Sequence, residues 1–381
     1  MSGFDTRCIH GDGRLGFHDP ARAISFPIYQ SASFAHTEAG NHSGYDYTRQ
    51  TNPTRAKLEE IMSSLEGASD TMAFCSGMAA INCLMERFRP GDHIICSEDL
   101  YGGTNRLLKT VCQKNGVLVT FLDTGNLEKT RKAIRPESKL IYIETPTNPM
   151  MMVTDLRAVC ALAHQHGLLA AVDNTFLSPY FQNPLSLGAD LVVHSGTKYL
   201  GGHNDTLAGF LCVKDKELAE EYRLIFKTLG GALMPFDSWL LMRGIKTLAL
   251  RMERQQENAV RIASWLKEQE KVTKVYFVGL PEHPGYEVNK RQARGCGAMI
   301  SFRVDRKETA LQILENVRLI TFAESLGGVE SLITYPRLQT HPDLTEEEAQ
   351  RLGITDTLLR LSVGAENAED LINDLAEAFG D

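Results

Sequence analysis

The segment Leu191-Val192-Val193-His194-Ser195-Gly196-Thr197-Lys198-Tyr199 joins an apolar, β-branched run to a lysine flanked by hydroxyl groups. Residues 191–194 have the composition of a buried strand. Burial beside such a strand lowers the pKa of an amine, which makes Lys198 a candidate for Schiff-base chemistry. Ser195 and Thr197 add hydroxyl groups that can bind a phosphate. Because most lysines are solvated surface charges, the interpretation depends on the surrounding chain.

Strand-like and helix-like segments alternate around this lysine. This alternation predicts a mostly parallel sheet with helices on both faces, forming one large α/β domain over residues 55–240. The predicted strands are 93–97, 117–122, 140–144, 169–173, 191–194 and 207–213, and helical patterns cover 77–88, 104–115, 127–134 and 156–166.

The flanking regions have different patterns. The first 50 residues look extended and loop-rich, and Asn52-Pro53-Thr54 begins a predicted helix that ends at Gly67. Residues 1–54 would form an N-terminal arm, and 241–381 a smaller α+β domain. Between 237 and 269 we expect one long helix or two joined helices. The predicted strands beyond it are 272–278, 298–304 and 318–322, and the predicted helices are 308–316 and 367–379.

Composition narrows the class of protein. The chain has 381 residues, which suggests two domains and leaves three open, and its 43% hydrophobic and 23% charged residues are typical of a globular protein. The net charge is −8 without a basic stripe, so we expect no nucleic-acid partner. There is no apolar run of about 18 residues and no signal-peptide pattern, which predicts no membrane partner.

The eight cysteines are scattered and form no CxxC pair. We interpret them as buried, reduced thiols of a cytoplasmic protein, and we expect no metal site. The pattern from Gly11 to Gly16 matches GxGxxG, but no strand precedes it and Phe17-His18-Asp19-Pro20 does not begin a helix. We therefore interpret it as a loop and not as a dinucleotide site.

Two further motifs change the interpretation of Lys198. Ser76-Gly77-Met78-Ala79-Ala80 opens a helical run with small residues, which leaves its backbone N–H groups accessible to a phosphate. Val172-Asp173-Asn174-Thr175 ends an apolar strand, where an aspartate can pair with a cationic ligand group. A phosphate loop, a strand-end aspartate and a strand-end lysine together match the needs of pyridoxal phosphate.

With these residues the chain resembles the Cys/Met-metabolism family of pyridoxal-phosphate enzymes over about residues 6–379. The resemblance implies an aspartate-aminotransferase-like fold of type I, with a seven-stranded, mostly parallel sheet in the large domain. The matching motifs are Tyr45–Arg49 with Asn52-Pro53-Thr54, Ser76-Gly77-Met78, Tyr101–Thr104, Glu144–Pro149, Val172–Thr175, Ser195–Tyr199, Ala323–Gly328 and Leu359–Gly364.

The resemblance also implies roles. Lys198 would hold the cofactor covalently and move protons, Asp173 would face its pyridine nitrogen, and Tyr101 would stack on its ring and assist proton transfer. Arg360 would bind the substrate carboxylate. The implied cofactor-binding residues are Tyr47, Arg49, Ser76, Gly77, Met78, Tyr101, Asn148, Asp173, Ser195, Thr197 and Lys198, and the implied substrate-binding residues are Asn148, Glu324, Ser325 and Arg360.

In this family a tyrosine and an arginine reach the phosphate from the neighbouring subunit, and here they match Tyr47 and Arg49. A complete site would then need two subunits. Because the family assembles as tetramers of two such dimers, the resemblance also implies a homotetramer, acting on a small amino-acid substrate. Gly103 disfavours a methionine γ-lyase, and the Gly102-Gly103 pair disfavours enterobacterial-type β-lyases. Glu324 matches γ-synthases and γ-lyases.

The leading expectation is a cystathionine γ-synthase, which joins an O-acyl-L-homoserine to L-cysteine. Cystathionine γ-lyase and β-lyase activities stay open. Other pyridoxal-phosphate chemistry, a nicotinamide dehydrogenase and a non-catalytic regulatory protein on the same fold are the alternatives from other classes. His203 and Asn204 could shape the site entrance, and we favour a simple turn there.

Overall fold

The computed structural model describes residues 2–11, 23–41 and 43–380. Its first sheet has the strand order β1-β7-β6-β5-β4-β2-β3. The strands are β1 (Asp70–Phe74), β2 (His93–Ser97), β3 (Leu118–Leu122), β4 (Ser138–Glu144), β5 (Leu169–Asp173), β6 (Leu191–Ser195) and β7 (Gly209–Val213). Strands β2 to β6 run parallel, whereas β7 is antiparallel to both β1 and β6.

Helices cover both faces of this sheet. They are α1 (Phe4–His10), α2 (Pro53–Glu66), α3 (Gly77–Met85), α4 (Gly102–Arg106), α5 (Leu127–Ala133), α6 (Leu156–Gln165), α7 (Ser178–Phe181), α8 (Pro184–Leu187) and α9 (Lys216–Leu229). A π-helical segment, Leu107–Cys112, continues α4. Helix α2 begins as the sequence predicts, because Asn52 Oδ1 accepts the N–H of Thr54 at 3.0 Å, and Gly67 ends it at a φ of 74°.

The second sheet has the order β10-β11-β12-β9-β8. Its elements are α10 (Pro235–Ile245), α11 (Leu248–Lys267), β8 (Val272–Tyr276), α12 (Tyr286–Gln292), β9 (Met299–Val304), α13 (Lys307–Asn316), β10 (Thr321–Phe322), β11 (Leu332–Thr334), α14 (Glu346–Leu352), β12 (Leu358–Ser362) and α15 (Ala368–Phe379). The expected helical stretch over 237–269 is thus two helices.

The central strands are apolar on both faces because each face supports a separate core. Ile95 of β2 and Val172 of β5 pack in the core that extends to the second sheet. Their neighbours Ile94 and Ala171 point to the opposite face and pack under α3 and α9. Strands buried on both faces do not alternate between polar and apolar residues, so their sequences are continuous apolar runs.

Several expectations were wrong in detail. The first 50 residues contain helix α1, and β1 lies in a region where no strand was predicted. The strand predicted over 318–322 is reduced to Thr321–Phe322, and β11 and β12 were not predicted. The loop predicted at 11–16 lies outside the described residues, apart from Gly11.

The described part of the chain contains no helix long and apolar enough to span a bilayer. All eight cysteines are free, and six of them are buried. Cys75 is exposed and Cys296 is partly buried, so for these two the prediction of burial was wrong. Each lies at a bend or loop outside the strands, where no apolar run carries it into a core.

Candidate active site

Three adjacent parallel strands bring their last residues to one edge of the first sheet. Glu144 ends β4, Asp173 ends β5 and Ser195 ends β6, and Glu144 is paired in register with Asp173. Ligands of open α/β sheets bind at such carboxyl ends. Twelve predicted site residues line one cavity there: Ser76, Gly77, Met78, Tyr101, Asn148, Asp173, Ser195, Thr197, Lys198, Glu324, Ser325 and Arg360.

Lys198 follows β6 by three residues and enters the cavity from the sheet side. Its Nζ donates a hydrogen bond of 2.8 Å to Ser325 Oγ. Burial, reinforced by the positive charge of Arg360, lowers the pKa of the Lys198 amine to about 8. A neutral amine is therefore accessible near physiological pH, as a nucleophile or a proton acceptor requires.

Asp173 is held by its own strand end. Its Oδ1 accepts the N–H of Thr175 at 3.1 Å and the Thr175 hydroxyl at 2.6 Å, and its Oδ2 accepts the Tyr142 hydroxyl at 3.3 Å. Burial raises the pKa of the Asp173 carboxyl, and these hydrogen bonds oppose the rise. A buried carboxylate of this kind favours a protonated ring nitrogen placed against it.

Arg360 lies in β12 with only 1% of its surface exposed. Its Nη1 donates to Asn148 Oδ1 at 2.8 Å, and its Nη2 donates to the Ser325 carbonyl at 3.0 Å and to Thr334 Oγ1 at 3.2 Å. Arg360 Nε is buried without a hydrogen-bond partner. Burial lowers the pKa of this guanidinium to about 10, so it stays charged at neutral pH.

Tyr101 leads into α4 at the cavity wall, and its backbone N–H donates to Glu144 Oε2 at 3.0 Å. The next two glycines are sterically required. A Cβ on Gly103 would come within 2.5 Å of the Tyr101 ring and 2.9 Å of Met78 Sδ, and one on Gly102 would come within 2.1 Å of the Thr340 carbonyl oxygen. The absence of a Cβ at both positions thus lets the Tyr101 ring, Met78 and the Thr340 carbonyl lie close to this backbone.

The start of α3 lies against the end of β6 and forms a cradle of small and hydroxyl-bearing residues. Ser76 caps the helix by accepting the N–H of Ala79 at 3.1 Å. Ser195 lies so close to Gly77 that a Cβ there would come within about 3.1 Å of the serine side chain. Exposed helix N–H groups and the hydroxyls of Ser195 and Thr197 are donors suited to a phosphate. The residues present therefore fit pyridoxal phosphate, because one cavity offers donors for a phosphate, the amine of Lys198 and the carboxyl of Asp173.

Glu324 and Ser325 close the cavity from the second sheet. Ser325 has a φ of 118°, which only a strongly constrained non-glycine residue adopts. This backbone turns its hydroxyl towards Lys198 and its carbonyl towards Arg360. Glu324 is exposed at the rim, and its charge opposes the lowering of the Lys198 pKa.

Tyr47 and Arg49 lie away from this cavity. They line a separate groove with Gly230 and Met234, and Tyr47 is 42% exposed. The guanidinium of Arg49 lies 5.6 Å from the centre of the Tyr47 ring and donates to the Lys227 carbonyl. Within one chain, these two residues do not join the other predicted site residues.

His203 and Asn204 lie in a turn after Gly201-Gly202. His203 Nδ1 lies 2.8 Å from the Gly201 carbonyl, and Asn204 adopts a φ of 54° and donates to Glu330 at 2.8 Å. Neither lines the cavity around Lys198. The turn lies between β6 and β7, and the Asn204–Glu330 hydrogen bond links it to the segment before β11. Asn204 also lines a neighbouring cavity that shares Thr197, Glu324 and Ser325 with the first.

No role was predicted for Glu144, Tyr142 or Thr175, although each makes a hydrogen bond with a predicted site residue. Glu144 and Thr175 were visible as parts of quoted motifs at strand ends. Tyr142 is an interior strand residue, and only the pairing of β4 with β5 brings it to Asp173.

Comparison with known proteins gives the same picture. A family model described as Cys/Met metabolism PLP-dependent enzyme matches residues 5–380. The chain is 49% identical over 374 residues to cystathionine gamma-lyase of Bacillus subtilis (strain 168), covering 98% of each chain. It is 45% identical over 379 residues to cystathionine beta-lyase of Lactococcus lactis subsp. cremoris (strain MG1363), covering 100% of this chain and 99% of the relative.

Among solved structures, cystathionine gamma synthase from Xanthomonas oryzae pv. oryzae in complex with cystathionine superposes with a TM-score of 0.97. It is 40% identical, over 100% of this chain and 98% of that one. The expected fold of type I and the expected cofactor are thus confirmed. The chain belongs to the Cys/Met metabolism family of PLP-dependent enzymes and is an enzyme of sulfur amino-acid metabolism.

Proposed function

We propose that the protein cleaves the C–S bond of L-cystathionine on the γ side. The observation that carries the proposal is the position of Lys198, whose buried amine has a pKa near 8 and shares one cavity with Arg360 and Asp173. The 49% identity to a cystathionine gamma-lyase over nearly the whole chain supports the choice of reaction.

Bound pyridoxal phosphate accepts the electron pair that remains on the substrate when its α-proton is removed. Lys198 would hold this cofactor and then act as the base at Cα, since it is the one lysine that lines the cavity in the described chain. Asp173 would keep the ring nitrogen protonated. The cradle of Ser76, Gly77 and Met78, with Ser195 and Thr197, would bind the phosphate.

Arg360 would bind the substrate carboxylate. Its Nε lacks a partner, while its two other nitrogens are fixed by Asn148 and Ser325, so the fork is already oriented before substrate arrives. Asn148 and Ser325 would also contact the substrate or cofactor, and Glu324 at the rim would face the distal part of the substrate. A pre-oriented cation lowers the entropic cost of binding.

Departure of a γ-substituent needs a second deprotonation, at Cβ, after the one at Cα. The base must therefore give up its first proton and act again. Lys198 has two polar neighbours for this purpose: the Ser325 hydroxyl at 2.8 Å and Tyr101, which lines the same cavity. Tyr101 would assist these proton transfers.

The proposal includes an assembly. Tyr47 and Arg49 would complete the phosphate site of a neighbouring subunit, which their separation from Lys198 within one chain supports. We propose a homotetramer of two such dimers, with residues 1–54 as the arm between partners, 55–240 as the cofactor domain and 241–381 as the smaller domain. A cytoplasmic location is supported by the eight free thiols.

The second candidate is γ-replacement, in which an O-acyl-L-homoserine reacts with L-cysteine to form cystathionine. It is favoured by the 0.97 TM-score to a cystathionine gamma synthase. The same base and carboxylate clamp serve both reactions, since they differ in whether a thiol adds after the γ-group leaves.

Product analysis by mass spectrometry on the purified holoenzyme separates these possibilities. One incubation contains L-cystathionine alone, and the other contains O-acetyl- or O-succinyl-L-homoserine with L-cysteine. We expect 2-oxobutyrate and cysteine in the first. Pyruvate and homocysteine there would instead indicate β-cleavage, and cystathionine made only in the second would overturn the proposal in favour of the synthase.

A further inference from the structure

A single buried carboxylate joins the two loops that carry Tyr101 and Asn148. Glu144, the last residue of β4, is 5% exposed. Its Oε2 accepts the backbone N–H of Tyr101 at 3.0 Å, and its Oε1 accepts the backbone N–H of Asn148 at 2.9 Å. One loop follows β2 and the other follows β4, so this side chain ties separate parts of the cavity wall together.

We propose that Glu144 is a positioning residue, which fixes the Tyr101 ring and the Asn148 amide relative to each other through these two hydrogen bonds. The inference rests on the proposed function, because it assigns Glu144 an effect on the binding of the amino acid. Glu144 itself transfers no proton in this scheme.

The surroundings of Glu144 oppose its charge. Burial and the neighbouring carboxylates of Asp173 and Asp99 raise the pKa of Glu144 well above its usual range, whereas the N–H groups of Tyr101 and Asn148 lower it. The two backbone N–H groups are thus the interactions that favour the carboxylate against burial and its acidic neighbours. A residue serving only to fill space would be apolar at this position, since burying an unneeded carboxyl is unfavourable.

The Asn148 loop and the Tyr101 loop contact different parts of the site. Asn148 Oδ1 accepts from Arg360 Nη1 at 2.8 Å, so displacement of the Asn148 loop releases the substrate clamp. Tyr101 forms the cavity wall beside Met78, so displacement of its loop changes a surface that a bound cofactor would contact. Loss of Glu144 should therefore alter substrate binding and the cofactor environment together.

Two variants separate the hydrogen bonds from charge and bulk. Glu144→Gln keeps the shape but has one acceptor oxygen, so its NH2 group must face one of the two backbone N–H donors. Glu144→Asp keeps the charge but is one methylene shorter and cannot reach both loops. If the two hydrogen bonds together position the loops, both variants should loosen the Tyr101 loop and the Asn148 loop alike.

The matched control is Asp374→Asn. Asp374 is also a buried carboxylate on backbone N–H groups, accepting those of Arg318, Leu319 and Ile320 at 2.8 to 3.0 Å, and it lies outside the cavity. Its loss should lower stability without touching the Tyr101 and Asn148 loops.

The decisive measurement is amide hydrogen exchange of the holoenzyme, followed by mass spectrometry on peptides covering 98–106 and 144–152. In Glu144→Gln and Glu144→Asp, exchange should become faster in both segments together, and in Asp374→Asn in neither. The visible absorption band of the bound cofactor should shift in the two Glu144 variants. The KM for L-cystathionine should rise on the order of tenfold, as expected for loss of one buried hydrogen bond.

Unchanged exchange in either segment, or full recovery in Glu144→Asp, would overturn the inference, because charge alone would then suffice. These exchange results do not depend on turnover. If the wild-type enzyme fails to cleave cystathionine while exchange changes as expected, the proposed function fails and the positioning role stands.

Discussion

Lys198 Nζ and Ser325 Oγ lie 2.8 Å apart, although 127 residues separate them in the chain. The lysine follows the first sheet and the serine lies between β10 and β11 of the second. The amine that we propose as catalytic therefore has a hydrogen-bond partner from the other half of the molecule, and residues of both halves line its cavity.

The pKa of Lys198 predicts how the apo-protein takes up its cofactor. Only the neutral amine attacks an aldehyde, and the lowered pKa places the change in protonation near pH 8 rather than 10.5. The rate of reconstitution with pyridoxal phosphate should therefore rise about tenfold per pH unit below 8 and level off above it. Stopped-flow absorbance between pH 6 and pH 10 measures this rate.

Lys198→Ala should form no covalent cofactor band and lose about three orders of magnitude in turnover. Lys132→Ala, which removes an exposed lysine from α5, is the control and should behave like the wild type.

For the pH dependence of reconstitution in the wild type, a midpoint above pH 10 would show that burial does not lower the pKa of Lys198.

Replacement of Arg360 by lysine keeps the positive charge but removes the planar fork. Lysine cannot contact Asn148, the Ser325 carbonyl and a substrate carboxylate at the same time. The KM for the amino acid should rise about 10- to 100-fold, with a smaller decrease in kcat. Steady-state kinetics of Arg360→Lys test this, with Arg131→Lys on the exposed end of α5 as control. An unchanged KM would remove Arg360 from the carboxylate site.

The separation of Arg49 from Lys198 predicts complementation between inactive variants. Arg49→Ala and Lys198→Ala homomers should each be nearly inactive. When the two are unfolded together and refolded, mixed dimers should contain one intact site, which gives about a quarter of wild-type activity for random pairing. Activity measured after co-refolding, against each variant refolded alone, is the test. No recovery would mean that the site is not shared between subunits.

Buried His341 predicts a loss of stability in mild acid. Its Nε2 lies 3.0 Å from the Leu100 carbonyl, and burial, followed by the positive charge of Arg360, lowers its pKa to about 4. Between pH 6.5 and 4 the unfolded chain binds a proton at this histidine and the folded chain does not. The free energy of unfolding must therefore fall as pH falls through that window.

In His341→Gln this acid-dependent loss should shrink by about 1 to 3 kcal/mol. Urea unfolding at pH 7 and pH 4.5 measures it, and His166→Gln, at an exposed position on the C-terminal end of α6, serves as control. Equal pH dependence in the wild type and His341→Gln would rule out this histidine as the cause.

Most strands of the first sheet could be predicted from the sequence, because they are apolar on both faces and are separated by clear helix signals. Strands β2 and β5 were predicted with their bounds as observed. The second sheet was harder. Strand β11 has only three residues, and β12 places Arg360 amid leucines, so neither forms a long periodic run.

Site residues at strand ends could be predicted because the end of a parallel strand is itself a common ligand site. The hydrogen-bond partners of these residues could not be predicted. That Glu144 would bridge two loops depends on the pairing of β2 with β4. That Tyr142 would reach Asp173 depends on the register of β4 against β5. Sequence patterns contain neither. Contacts between neighbouring strands and the loops that follow them are thus the part of the site that only the folded structure reveals.

The order of the site residues along the chain has a consequence for synthesis on the ribosome. Ser76, Asp173 and Lys198 all belong to the first sheet, whereas Arg360 lies in β12, the last strand of the second. A nascent chain thus completes the residues proposed for the phosphate, the ring nitrogen and the aldehyde more than 150 residues before Arg360, the proposed carboxylate clamp. If these residues act as proposed, we expect the part of the cofactor site that lies within one chain to form before an amino acid can be held for reaction.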